Sequence, residues 1–179
     1  YIMAIGQRID ELELRQKPER TVYYPGEKID LTGIEVIAKY NNGFERDVSA
    51  YVTVSEELLF AEQTSIEISF PYALYNNYTP NDYIDSNPSS SFDKLPRPSV
   101  SVPINVLNDE EIRSVDDLES LINAIGTVDF TSESLSKIRL ARIAYDGSDP
   151  VLRPAIRNYQ MLLDAEERYE LLEQAAKNL

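Results

Sequence analysis

The chain contains no cysteine and no histidine among its 179 residues, and these two absences close off much of enzymology. Without cysteine there is no disulfide, no thiolate nucleophile and no cysteine-built structural zinc site. Without histidine the usual general base near neutral pH and the commonest metal ligand are both missing. Serine is plentiful, yet no Gly-x-Ser-x-Gly elbow occurs and no base stands ready to activate a hydroxyl. Glycine is scarce, at 6 residues, and no Gly-rich phosphate loop is present. No apolar run approaches the roughly 20 residues of a membrane-spanning helix, so no membrane insertion is expected. Basic side chains are outnumbered 17 to 31, for a net charge of −14. The excess is even: −7 in residues 1–107 (9 basic, 16 acidic) and −7 in residues 108–179 (8 basic, 15 acidic). No basic patch stands out, which argues against a nucleic-acid partner; an acidic surface mainly keeps a protein soluble and monomeric. Glycoside hydrolysis needs only two carboxylates, but abundance without a motif places these in solvent. The chain is therefore expected not to be an enzyme and to need no cofactor.

What is present is a change of period along the chain. The length suits two small domains better than one, and 42 % hydrophobic with 27 % charged residues is an ordinary globular composition. The chain opens on Tyr1 rather than Met, so it is expected to be a piece of something longer.

Residues 1–107 read as β. Ile9, Leu12 and Leu14 begin a strand that stops near Pro18. Pro25-Gly26 is a turn pair, with Pro fixing one φ and Gly supplying φ > 0 at the next position. From Ile34 the chain alternates, with Ile34, Val36, Ala38 and Tyr40 facing one way and Glu35, Ile37 and Lys39 the other. Asn41-Asn42-Gly43 supplies the left-handed residues of a short hairpin, and Phe44 to Val48 forms the return arm. Val52 and Val54 alternate again, then Ile66, Ile68 and Phe70, and finally Val100, Val102, Ile104 and Val106. Short alternating strands separated by turn clusters suggest a sandwich.

Between the last two of these runs lies a segment from about Tyr72 to Pro98, rich in Tyr, Asn, Ser, Asp and Pro and devoid of glycine. Loops this long without elements of their own are functional or disordered. Tyrosine combines a flat apolar face with a hydroxyl at low entropic cost, which is why binding loops favour it. Tyr75, Asn77, Tyr78, Asp82, Tyr83, Asp85 and Phe92 are therefore a candidate binding loop, for a glycan or a surface protein. The competing reading has the rings, Tyr72 included, sealing an open end or edge of the β domain. Asn81, Asp82, Asp85 and Asn87, with Asp93 nearby, offer hard oxygen ligands, but their spacing does not match a calcium loop. Asx turns are the better account, and no metal site is expected. Tyr23-Tyr24 and Tyr40 could form a sugar platform, although core or edge packing suits their neighbours better. Glu56-Glu57 and Asp109-Glu110-Glu111 read as solvated turns or helix starts.

Residues 108–179 switch to helical spacing. Asn108 to Glu111 reads as a polar joint, with Ser114 as N-cap and Asp117 at the third helical position. Val115, Leu118, Leu121, Ile122 and Ile125 follow, and Gly126 ends the helix. Thr131 or Ser132 caps a second helix, whose stripe includes Leu135, Ile138, Ala141, the stem of Arg142 or Ile143, and Tyr145. Asp149-Pro150 is expected to open a short third helix. Asn158 restarts the chain into a last one, along which Tyr159, Leu162, Leu163, Glu166, Tyr169, Leu172 and Ala176 trace a mostly apolar face. The predicted architecture is an all-β sandwich over 1–107, with an insertion at about 72–98, followed by a bundle of three or four helices over 108–179.

The run Pro18, Tyr23-x-x-Gly26-Glu27, Thr32-Gly33-Ile34-x-Val36, Tyr40-x-x-Gly43 closely resembles group-three bacterial immunoglobulin-like domains. That resemblance implies a small β-sandwich strung along a bacterial surface or secreted protein, a spacer or adhesive surface rather than a catalyst. In the family the strand resembling Thr64–Phe70 leads quickly into the one resembling Val100–Val106, so the 72–98 insertion is a departure. Ile122-x-x-Ile125-Gly126-x-Val128, Ala141-Arg142-x-Ala144-Tyr145-Asp146 and Asn158-Tyr159-x-x-Leu162-x-x-Ala165-Glu166 are similar to helical modules of Gram-positive surface proteins. Those often continue past Tyr-Asp into Leu-Thr-Asp, where this chain reads Gly147-Ser-Asp-Pro. Lack of disulfides suits such a surface, although a cytosolic chain would also fit. The resemblances imply a non-catalytic module on a bacterial cell surface. A glycan- or protein-recognition module using the Tyr-rich insertion is the alternative, and a phage virion component is a third.

Overall fold

The computed structural model describes residues 9–55, 58–70 and 98–178. The chain divides into two compact units, residues 1–106 and 107–179, a β unit followed by a helical one.

The β unit runs β1 (Ile9–Gln16), β2 (Val22–Tyr23), β3 (Glu35–Tyr40), β4 (Glu45–Asp47), a 3-10 turn (Ser49–Tyr51), β5 (Thr53–Val54), β6 (Ser65–Ser69), β7 (Ser99–Pro103) and β8 (Asn105–Val106). One antiparallel sheet has the order β1-β3-β4 and another β5-β6-β7, while β2 and β8 form a parallel pair. Alternation determines what each sheet buries: Val36, Ala38 and Tyr40 from β3, Ile66 and Ile68 from β6 and Val102 from β7 enter one apolar cluster. Side chains from both three-stranded sheets thus share a core, to which Tyr23, Val48 and Val106 also belong. Removing one such aliphatic side chain from water contributes about 1.5–3 kcal/mol. Ile37, expected on the outer face, is buried too; it lies in the central strand, in register between Glu13 and Asp47, where neighbours flank it on both sides.

The β3–β4 hairpin departs from the expected turn. Among Asn41, Asn42 and Gly43 only Gly43 has a positive φ, at 80°. Gly43 N donates to Tyr40 O at 2.9 Å and Tyr40 N to Phe44 O at 2.9 Å. That is a three-residue loop, a tight turn closed by one left-handed residue. Gly26 likewise sits at φ 84° in the Tyr24–Glu27 turn.

The helical unit comprises α1 (Asp109–Asn123), α2 (Ser132–Asp146), a 3-10 turn (Arg153–Ala155) and α3 (Tyr159–Lys177), and each helix packs against the other two. Two sequence expectations are corrected here. The N-cap of α1 is Asn108, not Ser114. Asn108 Oδ1 accepts from the backbone N–H of Glu110 and Glu111, and the Glu111 carboxylate accepts from Asn108 N. This reciprocal capping box satisfies three amides, and Asp109, Glu110 and Glu111 complement the positive end of the helix. Ser114 lies inside α1 and donates back to Glu110 O at 3.0 Å. Second, Asp149-Pro150 opens a turn rather than a helix; the Asp149 carboxylate accepts from Val151 N at 2.9 Å. The 3-10 turn that follows contains Pro154, which has no N–H to continue an α-helical ladder. Thr131 caps α2 as expected, accepting from Ser134 N. Val115, Leu118, Ile122 and Ile125, with Ile138, Ala141, Leu162 and Ala165, are buried. Ile143 is 70 % exposed, so the stripe of α2 continues through the half-buried Arg142 instead.

Candidate functional site

The residues named as a binding loop, Tyr75, Asn77, Tyr78, Asp82, Tyr83, Asp85 and Phe92, lie outside the described residues, as do Tyr72, the oxygen-ligand group Asn81, Asn87 and Asp93, and the pair Glu56-Glu57. What is described is the frame that presents this segment. β6 and β7 pair antiparallel with Ser69 opposite Ser99, and Phe70 N donates to Pro98 O at 3.3 Å. The segment therefore leaves and re-enters the sheet at one place. Phe70, at its root, is buried in the core.

The tyrosines outside the insertion are built differently. Tyr23 is fully buried and Tyr40 is 5 % exposed. The Tyr23 hydroxyl faces the carbonyls of Arg20 and Asp30, at 2.9 and 3.2 Å, and accepts from Asp30 N at 3.1 Å. Arg20 lies 4.4 Å above the ring, and burial pushes the phenol above its ordinary range. A ring so enclosed has no face to offer a sugar, so Tyr23 and Tyr40 act in packing.

Two polar constellations organise the helical unit. In the first, Arg142 of α2 meets Glu166 of α3 through Nε–Oε1 at 2.7 Å and Nη2–Oε2 at 2.6 Å, and Asp146 through Nη1 at 3.3 Å. The Glu166 carboxylate raises the Arg142 guanidinium further above its usual range. Beside it Tyr145 and Tyr159 stack with ring centroids 4.1 Å apart, and Arg153 lies 5.2 Å from the Tyr145 ring while donating to Asp146 O and Ser148 O. In the second, Glu119 of α1 accepts from Arg157 through its backbone N (2.7 Å), Nε (3.1 Å) and Nη2 (2.8 Å). Asn158 Nδ2 adds bonds to Glu119 O and Asn123 Oδ1. The guanidinium hydrogen bonds hold the Glu119 carboxyl below the usual range.

Both constellations join carboxylates to an arginine, Glu166 and Asp146 to Arg142 and Glu119 to Arg157, and neither leaves a nucleophile beside a base. Chemically they are clamps: α2 to α3, and α1 to the entry of α3. The sequence puts the Arg142 stem and Glu166 on apolar stripes without pairing them; a charge of each sign on two buried faces is the available signal. Glu119 and Arg157 carried none. Among the described residues no group of three or more Asp or Glu could hold a metal ion, and none of the described helices is long and apolar enough to cross a membrane. Comparison with protein-family models finds no match for this chain, nor does comparison with curated proteins.

Proposed function

We propose that this chain is a non-catalytic, surface-exposed module of a larger exported bacterial protein, an immunoglobulin-like sandwich followed by a helical bundle, acting as spacer and adhesive scaffold. The observation that carries this reading is the single core fed by two three-stranded antiparallel sheets, the packing principle of a sandwich. The Tyr-x-x-Gly-Glu, Thr-Gly-Ile-x-Val and Tyr-x-x-Gly elements fall on β2, the approach to β3 and the β3–β4 hairpin, where the resemblance to group-three bacterial immunoglobulin-like domains puts turns and strands. The polar clusters of the helical unit are spent on clamping helices, which suits a scaffold.

A second reading is supported by the pinned root of the insertion: a segment rich in Tyr, Asn and Asp that starts and ends at Ser69 and Ser99 is presented as recognition loops are presented, on a rigid support. The whole chain, applied to arrays of cell-wall glycans and host glycoproteins, separates the two. A spacer or adhesive scaffold behaves the same before and after residues 75–92 are replaced, because its role does not lie in the insertion. A recognition module captures a defined class, and loses it when residues 75–92 are replaced by a short Gly-Ser linker.

A further inference from the structure

Asn42-Gly43 is the only Asn-Gly pair in the sequence. Asparagine is among the chemically labile side chains, most of all before glycine, where no Cβ on the following residue hinders approach of its backbone nitrogen to the carboxamide carbon. Asn42 is exposed, so water and hydroxide reach it. The hairpin, however, occupies both reacting groups. Gly43 N donates to Tyr40 O at 2.9 Å, and Asn42 Oδ1 accepts from Phe44 N at 3.1 Å. The nitrogen that would attack is turned toward one carbonyl, and the carboxamide is turned toward another amide.

We propose that Asn42 is a site of spontaneous deamidation gated by opening of the β3–β4 hairpin. When the hairpin opens, hydroxide takes the proton of Gly43 N–H and the nitrogen attacks Cγ of Asn42. The Cγ–Nδ2 bond breaks, and the amide leaves as ammonia with a proton from water. Water then adds to either carbonyl of the cyclic imide and one ring C–N bond breaks, giving aspartate or isoaspartate. Nothing is oxidised or reduced, and water is the only co-reactant. The products differ in consequence: aspartate retains the oxygen that accepts from Phe44 N, whereas isoaspartate lengthens the backbone inside a three-residue loop. Asp146-Gly147 is the internal comparison. Its carboxylate pairs with Arg142, and Gly147 N donates to Ile143 O at 3.0 Å at the end of α2, so it stays closed while the bundle is folded.

The test incubates the full chain at mildly alkaline pH, folded and in concentrated guanidinium chloride, with peptide mapping for isoaspartate and for the amide-to-acid mass change. Asn42 is expected to convert at least about tenfold more slowly in the folded chain, with comparable protection of Gly43 N–H from hydrogen exchange, since both report one opening equilibrium. Phe44→Ala, which removes a ring 5.8 Å from that of Tyr40, should speed the folded-state reaction by up to about fivefold and leave the denatured rate unchanged. Equal folded and denatured rates overturn the proposal, as do a freely exchanging Gly43 amide and a Phe44→Ala chain that deamidates no faster than the parent.

Discussion

Arg142 of α2 and Glu166 of α3 form a two-point, parallel hydrogen-bonded pair, 24 residues apart in sequence, with both side chains about 30 % exposed (27 % and 31 %). Planar two-point pairing is the strongest arrangement open to an exposed carboxylate, and here it closes one side of the bundle beside the Tyr145–Tyr159 stack. Solvent screening keeps its contribution well below that of a buried pair. Glu166→Ala should lower the stability of the helical unit by about 1–2 kcal/mol, and Arg142→Ala by somewhat more because its stem also packs. Urea unfolding followed by far-ultraviolet circular dichroism, read as a double-mutant cycle, measures the coupling. A coupling indistinguishable from zero would make the pair incidental.

Glu119 gives the bundle a pH dependence of known sign. Arg157 holds the Glu119 carboxyl below its ordinary value through side-chain and then backbone hydrogen bonds, against an opposing effect of burial. A carboxyl depressed in the folded state binds its proton more readily when unfolded. Its stabilisation is therefore complete above the unfolded value, about 4.3, and is lost as pH falls through the folded one. The unfolding midpoint of the helical unit should fall on acidification through this window, and Glu119→Gln should flatten that fall while lowering the stability at neutral pH by about 1–3 kcal/mol. An unaltered acid limb in the variant would remove Glu119 from the account.

How much of this was legible depends on how local the information is. β3, β6 and β7 announce themselves through alternation, and the helices through the spacing of Val115, Leu118 and Ile122 or of Ile138 and Ala141. The parallel pairing of Val22-Tyr23 with Asn105-Val106 joins segments some eighty residues apart in numbering, and no local pattern encodes it. The start of α1 is misplaced in the sequence reading, which takes Asn108–Glu111 as a polar joint and Ser114 as the cap, although Asn108-x-x-Glu111 has the spacing of a reciprocal cap. The chain uses the earlier one, where three acidic residues in the first turn add to the cap. Pro154, with no N–H to donate, is the reason that Asp149-Pro150 begins no α-helix. The clamps Arg142–Glu166 and Glu119–Arg157 are long-range pairs, invisible until the helices are docked. The candidate binding loop was legible as composition only, since composition does not say which rings turn outward.

The hairpin offers a backbone test. Gly43 has φ 80°, and a Cβ built there meets nothing within 4 Å, so the cost of replacement is conformational rather than steric crowding by neighbours. A β-branched residue is the least tolerant of that region. Gly43→Val should destabilise the β unit by about 1–3 kcal/mol, and Gly43→Asn by less, because Asn visits the left-handed region. An unchanged midpoint for the valine variant would mean that the turn re-forms around a different residue.

The role of the insertion and the stability of the fold that carries it can be measured apart. Ser69 and Ser99 are register partners, and Phe70 is buried at the root, so closing the β6–β7 connection does not require its full length. Loop-closure entropy changes by only about 0.6 kcal/mol for each halving. If residues 75–92 form a recognition loop, replacing them with a short Gly-Ser linker should leave the melting midpoint of the β unit unchanged or slightly raised and abolish capture of glycan or glycoprotein. If instead Tyr75 and Phe92, with Tyr72, seal the β unit, the replacement strips aromatic burial worth a few kcal/mol, and the unit should melt early or aggregate. Variants of Tyr78 and Tyr83 sharpen the distinction, because alanine at either should cost binding without cost to stability under the recognition reading. A folded, loop-shortened chain that captures the same partners as the parent would remove residues 75–92 as the recognition element.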